Sequence, residues 1–545
     1  MSKNRGINEA AFDLLDAFTE IATRYPQRPA ILHHGHTVRY HRLHELANTL
    51  AERLTADLGA IPGAVAVQAT RTPETVVALL GILAAGGVYC PVDPAFPLQR
   101  QQAMVSAAGC RAIVGSDREQ ASRLDLELME LGPATEPAPA ASRTPFTDPR
   151  DSAATGLAAA ERPLAADAPG SARNRVAHDM PAYILFTSGS TGQPKPVVTP
   201  RRAISSAVHA LSGLFALTPD DRVLQFASLN WDTSFEEILP ALTTGAALVL
   251  DSEAHSGSFH RFLRMVERER ITVLDLPTAF WHELVLHLTE DQQPLPSCLR
   301  LVVIGGEAAN PARLADWSSL DTTGIRLVNT YGCTETTLVT HAVDLCGPQA
   351  SSPGTRWDIG TRAPIGRALP HVVQRIGEQG ELLISGIALA LGYLGLPEAT
   401  EARFTTLDGE RCFRTGDRVS SSPDGVLIHE GRLDHEIKVR GIRVDPAEVE
   451  AHIAGHPEVS AVAVAGATVA GRSTLVAYVV PRRHAQTSTL DSEVRSYLRG
   501  RVPGHLVPSR ITVVPGLVLT ASGKVDRTAS HQRHATPDQV KGDLR

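Results

Sequence analysis

The sequence contains little cysteine and has no excess of positive charge. Its 6 cysteines are spread over 545 residues without CxxC spacing, so we expect neither a disulfide framework nor a cysteine-based zinc site. The formal net charge of -7 provides no overall attraction for nucleic acid or for an anionic membrane surface. These features favour a cytoplasmic protein without a nucleic-acid partner.

Long apolar runs are also missing. The most apolar stretch, residues 76–92 (VVALLGILAAGGVYCPV), contains two adjacent glycines and is shorter than the ~20 residues that a membrane-spanning helix needs. The first residues, MSKNRGINEAAFDLLDAF, lack the continuous apolar core of an export signal. We therefore expect no association with a membrane.

Short runs rich in Val, Ile and Leu alternate with amphipathic stretches along most of the chain. Examples of the runs are AVAVQA, AALVLD, RLVVIGG and ELLISG, while residues 45–58 and 258–270 have the spacing of amphipathic helices. This alternation predicts an architecture of layered α/β sub-domains, and a chain of this length can bury several cores.

Two changes in composition indicate how the chain is divided. Between about residues 116 and 180 it is rich in Ala, Pro, Ser and Arg with little periodicity, which predicts a long, flexible surface insertion or disordered loop, with a short helix near its start as an alternative. A second break lies near residues 431–434, and the chain beyond this break is long enough for a small α+β domain. We predict a large lobe over residues 1–431, a small mobile C-terminal lobe over residues 434–530 and a tail over residues 531–545.

The segment FTSGSTGQPKP, residues 186–196, combines hydroxyl residues with two glycines and a lysine. Glycines permit turns that direct backbone N–H groups inward, hydroxyls add short donors, and lysine adds positive charge, which together suit a phosphate chain. The segment lacks the GxxxxGK[ST] pattern of the Walker loop. By itself it is compatible with a phosphate-binding loop or with a polar turn.

Further motifs accompany this loop, namely NTYGCTE (329–335), FRTGD (413–417), GRLD (431–434), KVRG (438–441) and TASGKVDR (520–527). In this order the set resembles the adenylate-forming superfamily, most closely the adenylation domains of nonribosomal peptide synthetases, from about Phe18 to Arg527. The resemblance implies ATP-dependent activation of a carboxylate as an adenylate, with pyrophosphate release and with ATP and Mg²⁺ as cofactors. Two anions must then be brought together, which requires positive charge and a metal in the site.

The resemblance implies a role for each motif residue. The β- and γ-phosphates would be bound by Thr187, Ser188, Gly189, Ser190, Thr191, Gly192 and Lys195. The adenine slot would be formed by Gly306, Glu307, Ala308, Asn329 and Tyr331. Asp417 would accept the ribose hydroxyls, with Arg432 beside the nucleotide. Glu335 would hold Mg²⁺, Thr334 would lie near the α-phosphate, and Lys524 would reach across the cleft to the carboxylate and the α-phosphate.

A second half-reaction is implied by the same resemblance. The small lobe would rotate about a hinge at Asp434 and present Lys438 and Gly441 to an incoming thiol. Two residues depart from the family pattern, because Pro196 stands in place of a glycine and Arg201 in place of a histidine. Proline fixes φ and lacks an N–H, so we expect a stiffer end of the phosphate loop with one donor fewer.

Residues 230–236, NWDTSFE, match the family segment in which an aspartate, here Asp232, pairs with the ammonium group of an amino acid. Extending the match assigns the side-chain pocket to Thr233, Glu236, Asp275, Val303, Gly305, Thr330, Leu338 and Val339. Acids beyond Asp232 would repel each other or take up protons unless a cation joins them. We expect a basic substrate, with lysine, β-lysine, ornithine and diaminobutyrate as candidates, unless the register is one residue out at Asp275 or Glu236 points away.

The residues after Lys524 are too few for a carrier domain, so we expect a free-standing ligase. It would pass the aminoacyl group to the phosphopantetheine thiol of a separate carrier protein, as in antibiotic biosynthesis. The same fold could instead serve an acyl-CoA ligase or an amide-forming ligase. A catalytically inactive member would be expected to lose Lys524, Glu335 or Asp417, and all three are present.

Overall fold

The computed structural model describes residues 12–134, 179–188, 194–348, 362–434, 436–439, 441–469, 472–482, 485, 487–519 and 525–535. In this part of the chain the helices are α1 (Leu14–Arg24), α2 (Tyr40–Leu58), α3 (Pro73–Ala84), α4 (Leu98–Ala108), α5 (Arg118–Arg123), α6 (Arg201–Phe215), α7 (Thr233–Thr244), α8 (Phe259–Arg268), α9 (Thr278–Asp291), α10 (Pro311–Ser319), α11 (Pro397–Arg403), α12 (Pro446–Ala454), α13 (Leu490–Arg499) and α14 (Arg527–His534).

The strands are β1 (Pro29–His33), β2 (His36–Arg39), β3 (Ala64–Gln68), β4 (Val88–Val92), β5 (Ala112–Gly115), β6 (Glu127–Glu130), β7 (Pro181–Thr187), β8 (Lys195–Pro200), β9 (Arg222–Leu224), β10 (Ala247–Leu250), β11 (Val273–Pro277), β12 (Leu301–Gly305), β13 (Arg326–Gly332), β14 (Val339–Cys346), β15 (Arg367–Ala368), β16 (Val373–Ile376), β17 (Glu381–Ser385), β18 (Gly392–Tyr393), β19 (Phe404–Leu407), β20 (Glu410–Ser421), β21 (Leu427–Arg432), β22 (Ile437–Val439), β23 (Ile442–Val444), β24 (Val459–Val469), β25 (Arg472–Pro481) and β26 (Arg510–Val513).

Two long sheets build most of the large lobe. One has the order β15-β14-β13-β12-β11-β9-β10-β1-β2 and the other the order β18-β8-β7-β4-β3-β5-β6. Most neighbouring strands in both sheets run parallel, for example β11 with β12 and β3 with β4, whereas β14 and β8 run antiparallel to β13 and β7. Parallel strands covered on both faces are apolar throughout, which explains uninterrupted runs such as Val88–Val92, where every residue is buried.

Helices packed against these sheets complete the main core. Leu43 and Leu50 of α2, Leu79 of α3, Leu211 of α6 and Phe235 of α7 belong to one buried cluster and are each at most 2% exposed. The cluster also takes residues from both sheets, so it joins the two halves of the large lobe. A second cluster lies on the other face of the first sheet, around Trp281 and Trp317.

A third, antiparallel sheet follows in the chain. Its order is β16-β17-β20-β19, with β21 paired to the other end of β20. The pairing of β20 with β21 places Asp417 directly opposite Arg432. The core beneath this sheet includes Tyr331, Ile384 and Phe413, so the sheet is fixed against the end of β13.

The small lobe contains the hairpin β22-β23 and the sheet β24-β25-β26. Its own core includes Val449 and Ile453 of α12, Leu475 of β25 and Leu498 of α13. The predicted fold class, a large α/β lobe followed by a small α+β lobe, is confirmed.

The segment predicted as a flexible insertion, residues 116–180, begins with regular structure. Residues 118–123 form α5, and β6 pairs in parallel with β5 as the edge of the second sheet. Leu128 and Met129 pack inward there, although the local composition conceals this. Residues 135–178 lie outside the described residues, so the insertion itself stays a prediction. Among the described helices, none combines the length and apolar character needed to cross a membrane.

Candidate active site

A cavity of about 340 Å³ lies where the two lobes meet. Its large-lobe wall is formed at the carboxyl ends of β7, β11, β12 and β13, the edge at which open α/β sheets bind ligands. The small lobe contributes Lys438, Gly441, Ile442 and Arg443 from β22, β23 and the turn between them. The cavity is therefore complete only when the small lobe occupies its present position.

Most of the predicted amino acid pocket lines this cavity. The residues brought together are Asp232, Thr233, Glu236, Asp275, Gly305, Thr330, Leu338 and Val339. Val303 does not line the cavity. It lies two residues before Gly305 on the same strand and is fully buried in the main core, because the cavity ends above the level that this side chain reaches.

Three carboxyl groups converge on the cavity. Asp232 precedes α7, and Glu236 lies one helical turn further on, so both side chains share one face of the helix. Asp275 comes from β11. Glu236 and Asp275 are only 7% and 4% exposed, and both face the cavity. Glu236 therefore does not point away from the pocket.

Burial strongly affects these carboxyls. Burial and the nearby charge of Asp275 raise the pKa of Glu236 well above its usual value. Burial raises the pKa of Asp275 to about 7, and burial with the charge of Glu335 raises the pKa of Asp232 to about 6. Oδ2 of Asp275 is buried without a hydrogen-bond partner in the described structure. Glu236 and Asp275 share a hydrogen bond with each other. Among the described residues, no cationic side chain forms an ion pair with either of them, although Arg71 and Lys438 also line the cavity.

A fourth acid, Glu237, was not predicted. It does not line the cavity and instead binds backbone and side-chain groups of a neighbouring loop. It accepts hydrogen bonds from the backbone N–H groups of Phe226 and Ala227, both at 2.9 Å, and from Nε2 of Gln225 at 3.0 Å. Glu237 therefore holds the loop after β9 against α7. In the sequence, the only sign of this contact is that two glutamates, Glu236 and Glu237, are adjacent.

Asp417, the predicted ribose ligand, lies in a dense polar cluster. It accepts hydrogen bonds from Tyr331 at 2.5 Å, from Arg432 Nη1 at 2.7 Å and from His429 Nε2 at 3.0 Å. Burial alone would raise the pKa of Asp417, but His429 and Arg432 lower it below its usual value. The carboxylate is thus held ionised. His429 was not predicted, since a lone histidine two residues before GRLD gives no specific signal.

The other residues predicted for the adenine slot adjoin the small lobe or the strand ends. Asn329 donates from Nδ2 to the carbonyl oxygen of Pro364 at 2.7 Å. Glu307 accepts from the backbone N–H of Gly441 at 2.8 Å. Gly306 has a φ of 88°, and a Cβ there would come within 2.8 Å of Cα of Gly441, so glycine is required for this close approach. Ala308 is exposed.

The phosphate loop is described only at its ends. Thr187 lines the cavity, and Oγ of Ser188 donates to the carbonyl oxygen of Arg443 at 3.1 Å while accepting from the N–H of Asp445 at 3.0 Å. Lys195 begins β8, with Nζ 5.8 Å from the ring centre of Tyr393. The loop residues Gly189, Ser190, Thr191 and Gly192, like Lys524, lie outside the described residues.

The two departures from the family pattern lie in regular structure. Pro196 is the second residue of β8 and pairs with Phe186 of β7, so it belongs to the strand rather than to the loop. Arg201 is the first residue of α6, and its guanidinium donates to the carbonyl oxygen of Leu83 at the end of α3. The guanidinium of Arg201 therefore links the start of α6 to the end of α3.

Glu335, the predicted magnesium ligand, is 1% exposed at the edge of the cavity. Tyr393 donates to its Oε1 at 2.8 Å, and Arg443 Nη1 donates to its Oε2 at 3.1 Å. Burial would raise the pKa of Glu335, but Arg443 and Tyr393 lower it below its usual value. A buried, ionised carboxylate facing a cleft fits a Mg²⁺ ligand, because Mg²⁺ prefers oxygen donors. Thr334 lies beside it in the cavity wall.

Asp434, the predicted hinge residue, and Lys438 also lie beside this cluster of charged side chains. Asp434 accepts from Arg432 Nε at 2.7 Å and from Arg403 Nη2 at 2.9 Å. Lys438 lines the cavity, with Nζ 5.4 Å from the ring centre of Tyr331. Arg443, which lies two residues after the KVRG motif, was not predicted as a residue of the site.

Comparison with known proteins agrees with this geometry. Residues 18–394 match the AMP-binding enzyme family, and residues 448–524 match the AMP-binding enzyme C-terminal domain. The chain belongs to the AMP-binding enzyme family. The predicted resemblance to the adenylate-forming superfamily is thereby confirmed.

Curated relatives of this AMP-binding enzyme include large synthetases. The chain is 37% identical over 505 residues to isonitrile lipopeptide synthase of Streptomyces coeruleorubidus, covering 92% of the chain and 32% of the relative. It is 34% identical over 521 residues to phosphinothricin tripeptide synthetase PhsC of Streptomyces viridochromogenes, covering 93% of the chain and 44% of the relative. The chain thus spans less than half the length of these two relatives.

Solved structures share the fold of this AMP-binding enzyme. The Vibrio cholerae adenylation domain AlmE, solved with glycyl-adenosine-5'-phosphate, is 24% identical with a TM-score of 0.76, covering 98% of this chain and 99% of AlmE. The amide bond synthetase McbA of Marinactinospora thermotolerans is 25% identical with a TM-score of 0.75, covering 96% and 99%.

Proposed function

We propose that this AMP-binding enzyme activates an amino acid with a cationic side chain as its aminoacyl-adenylate. The observation that carries the proposal is the convergence of Asp232 with the buried side chains of Glu236 and Asp275 on one cavity. Burying a carboxylate without a partner is costly, and an ammonium group offsets that cost. A diamino acid supplies two such groups, one for Asp232 and one for the pair at 236 and 275.

Asp232 is assigned to the α-ammonium group because it lies nearest to the nucleotide side of the cavity. The charge of Glu335 raises the pKa of Asp232, whereas the pKa of Glu236 is raised more by the charge of Asp275 than by that of Asp232. A long substrate would then extend from Asp232 toward β11. Leu338 and Val339 provide apolar walls for its methylene groups, as is usual for pockets that hold small ligands.

The nucleotide would be bound along the third sheet and the phosphate loop. Asp417, held ionised by Arg432 and His429, is suited to accept ribose hydroxyls, and Tyr331 and Asn329 flank the place for adenine. Glu335 would hold Mg²⁺, which supplies charge neutralisation on the phosphates when bound. Residues 187–192 with Lys195 would cradle the leaving pyrophosphate, and Lys524 would approach the α-phosphate.

The activated acid would then be transferred to the phosphopantetheine thiol of a carrier protein. In the present arrangement Lys438 and Gly441 line the cavity. The face of the small lobe that carries them is the one that a transfer step would use. A lobe boundary at the hinge Asp434 and rotation of the small lobe are part of this proposal. An acyl-CoA or amide product is the second candidate, because McbA has the same fold.

The decisive experiment is amino-acid-dependent pyrophosphate exchange with a panel of basic, acidic, aromatic and aliphatic amino acids. We expect a basic amino acid to be preferred, and Glu236→Gln combined with Asp275→Asn to abolish that preference. Glu45→Gln, which removes an exposed carboxylate from α2, is the control and should change nothing. A preference for neutral amino acids would contradict the assignment of the pocket.

The acceptor requires a separate assay with the activated substrate. Purified carrier protein, coenzyme A and free amines would be offered in parallel, and the covalent product identified by mass spectrometry. A thioester on the carrier supports the proposal. Turnover with coenzyme A or an amine alone would identify the second candidate function instead.

A further inference from the structure

Both carboxylate oxygens of Glu335 accept a hydrogen bond, and the two donors come from different lobes. Tyr393 of β18 bonds Oε1, and Arg443 of β23 bonds Oε2. Tyr393 and Glu335 both belong to the large lobe and are held together by its core. Arg443 comes after the hinge and belongs to the small lobe, so its contact with Glu335 depends on where that lobe lies.

Arg443 is held in position by Glu436, which also accepts hydrogen bonds from Arg403 and Arg432 of the large lobe. Glu436 receives hydrogen bonds from Nε and Nη2 of Arg443 at 2.6 and 2.8 Å. The third nitrogen, Nη1, is thereby directed at Glu335, and the side chain of Arg443 is only 15% exposed. A planar guanidinium fixed on one edge presents its remaining donor at a defined position. The small lobe therefore delivers a positive charge to one oxygen of one carboxylate.

Glu335 needs a cation whenever its site is closed to water. An ionised carboxylate buried without a partner is unfavourable. Among the contacts described for Glu335, the large lobe supplies the neutral hydroxyl of Tyr393 as a hydrogen-bond donor, and the charge of Arg403 acts on Glu335 without a hydrogen bond. During adenylation the expected cation is Mg²⁺. Two cations at the same oxygen would repel each other, so Arg443 in its present position excludes a metal bound at Oε2.

We propose that Arg443 and Mg²⁺ are alternative partners of Glu335, and that their exchange couples metal occupancy to the position of the small lobe. The inference rests on the proposed adenylation step, in which Glu335 holds Mg²⁺. When the metal leaves with pyrophosphate, the bared carboxylate favours the arrangement in which Arg443 binds it. Metal at Glu335 conversely disfavours that arrangement, because coupling between two ligands of one equilibrium is reciprocal.

Hydrogen exchange of peptides covering residues 437–446 tests this coupling in the full chain. The protein is saturated with α,β-methylene-ATP, which cannot release pyrophosphate, and Mg²⁺ is titrated at constant ionic strength from a metal-free start. We expect exchange in these peptides to rise at least twofold with Mg²⁺, as Arg443 is displaced. Exchange that does not respond to Mg²⁺ in the wild-type protein would overturn the proposal.

Variants separate Arg443 from general lobe contacts. Arg443→Met should raise exchange in the metal-free sample and remove the response to Mg²⁺, while Arg443→Lys should keep part of that response. The matched control is Arg472→Met, since Arg472 also joins the small lobe to a large-lobe glutamate, Glu283, but at an exposed position. An equal loss of response in Arg472→Met would overturn the assignment to Arg443.

The metal affinity provides an independent measurement. Binding of Mn²⁺, followed by its electron paramagnetic resonance signal in the absence of nucleotide, should tighten at least threefold in Arg443→Met, because the competing cation is removed. Unchanged or weaker Mn²⁺ binding in this variant would contradict the proposal. If every amino acid fails in pyrophosphate exchange but the Mg²⁺ response persists, the proposed substrate class fails while the exchange of cations stands.

Discussion

Arg100 Nη1 of α4 donates to Glu448 Oε1 of α12 at 2.7 Å, across the boundary between the lobes. The side chains are 9% and 0% exposed, so the ion pair is buried. Nearby, the rings of Trp231 and His505 meet edge to face with centres 5.4 Å apart. Moving the small lobe would separate both contacts, so this interface stabilises the arrangement in which Lys438 and Arg443 face the cavity.

We predict that Glu448→Gln weakens this arrangement without harming adenylation. Removing one partner of a buried ion pair leaves the other charge uncompensated, which costs about 3–5 kcal/mol. Transfer to the thiol acceptor should fall at least about tenfold, while pyrophosphate exchange stays within a factor of about two. The exposed cross-lobe pair of Arg472 and Glu283 is the control, because Glu283→Gln should change transfer by less than about 1 kcal/mol.

A double variant distinguishes loss of the pair from damage to the fold. Arg100→Met combined with Glu448→Met replaces two buried charges by apolar side chains of similar length. Such replacements are often neutral or stabilising, so transfer should recover relative to Glu448→Gln. If the double variant is as slow as the single one, the ion pair is not the cause of the loss.

Asp417 provides a second prediction, about nucleotide binding. Asp417→Asn removes the charge that Arg432 and His429 hold in place and weakens the acceptor offered to the ribose. A hydrogen bond to a charged group contributes about 1.5–3 kcal/mol, so KM for ATP should rise about 10- to 100-fold, with little change in KM for the amino acid. Asp424→Asn, at an exposed turn between the same two strands, should leave KM for ATP unchanged.

Tyr393 provides a third prediction, about the metal. Tyr393→Phe keeps the ring but removes the hydroxyl that donates to Oε1 of Glu335. The carboxylate then loses one of its two fixed contacts, so the Mg²⁺ concentration for half-maximal pyrophosphate exchange should rise about three- to tenfold. Tyr497→Phe, which removes an exposed hydroxyl bonded to Gly455, is the control. A change in KM for the amino acid alone would contradict this role of Tyr393.

Most of the residues that line the cavity could be grouped from the sequence because they obey local rules. Asp232 and Glu236 are four positions apart at the start of a helix, so they share a face. Gly305 and Thr330 are paired partners at the ends of neighbouring parallel strands, where the family pattern places binding residues. The prediction that Val303 lines the pocket was wrong. The depth of a cavity is set by the packing around it, and no spacing in the sequence reveals that depth.

The contacts between lobes were beyond sequence reasoning. Arg100 and Glu448 are 348 positions apart, and Arg443 and Glu335 are 108 apart. In the sequence, each of these residues could equally be a charged side chain on a solvent-exposed face. Only the orientation of the small lobe brings them together, and that orientation depends on the sum of many interface contacts. Hence the motif residues were predictable, whereas the partners that hold them were not.

The paired acids of the pocket lead to a fourth prediction, on pH. Burial raises the pKa of Asp275 to about 7, so in the empty pocket this carboxyl is mostly protonated at pH 6 and mostly ionised at pH 8. Burial and the nearby charge of Asp275 also raise the pKa of Glu236 well above its usual value. The side-chain ammonium of a lysine-like substrate stays charged over this range. Its binding therefore requires the ionised form of Asp275.

The sign of the effect depends on that requirement. Raising the pH from 6 to 8 converts Asp275 to the form that attracts the ammonium, so KM for the basic amino acid should fall about tenfold across this range. On α7, Glu236 and Glu237 lie within reach of the charge of Asp275, and the cationic side chains of Arg71 and Lys438 line the same cavity. Asp232, whose pKa is raised to about 6, faces the α-ammonium instead and affects every amino acid substrate alike.

Asp275→Asn separates these contributions. In this variant KM for the basic amino acid should be higher at pH 8 and should vary with pH only by the smaller amount due to Asp232. The measurement is pyrophosphate exchange at pH 6, 7 and 8 for the wild-type protein and the variant, with KM for ATP as an internal reference. A KM for the basic amino acid that rises with pH in the wild-type protein would mean that the substrate binds the protonated pair, and the assignment of Asp275 as its counter-ion would fail.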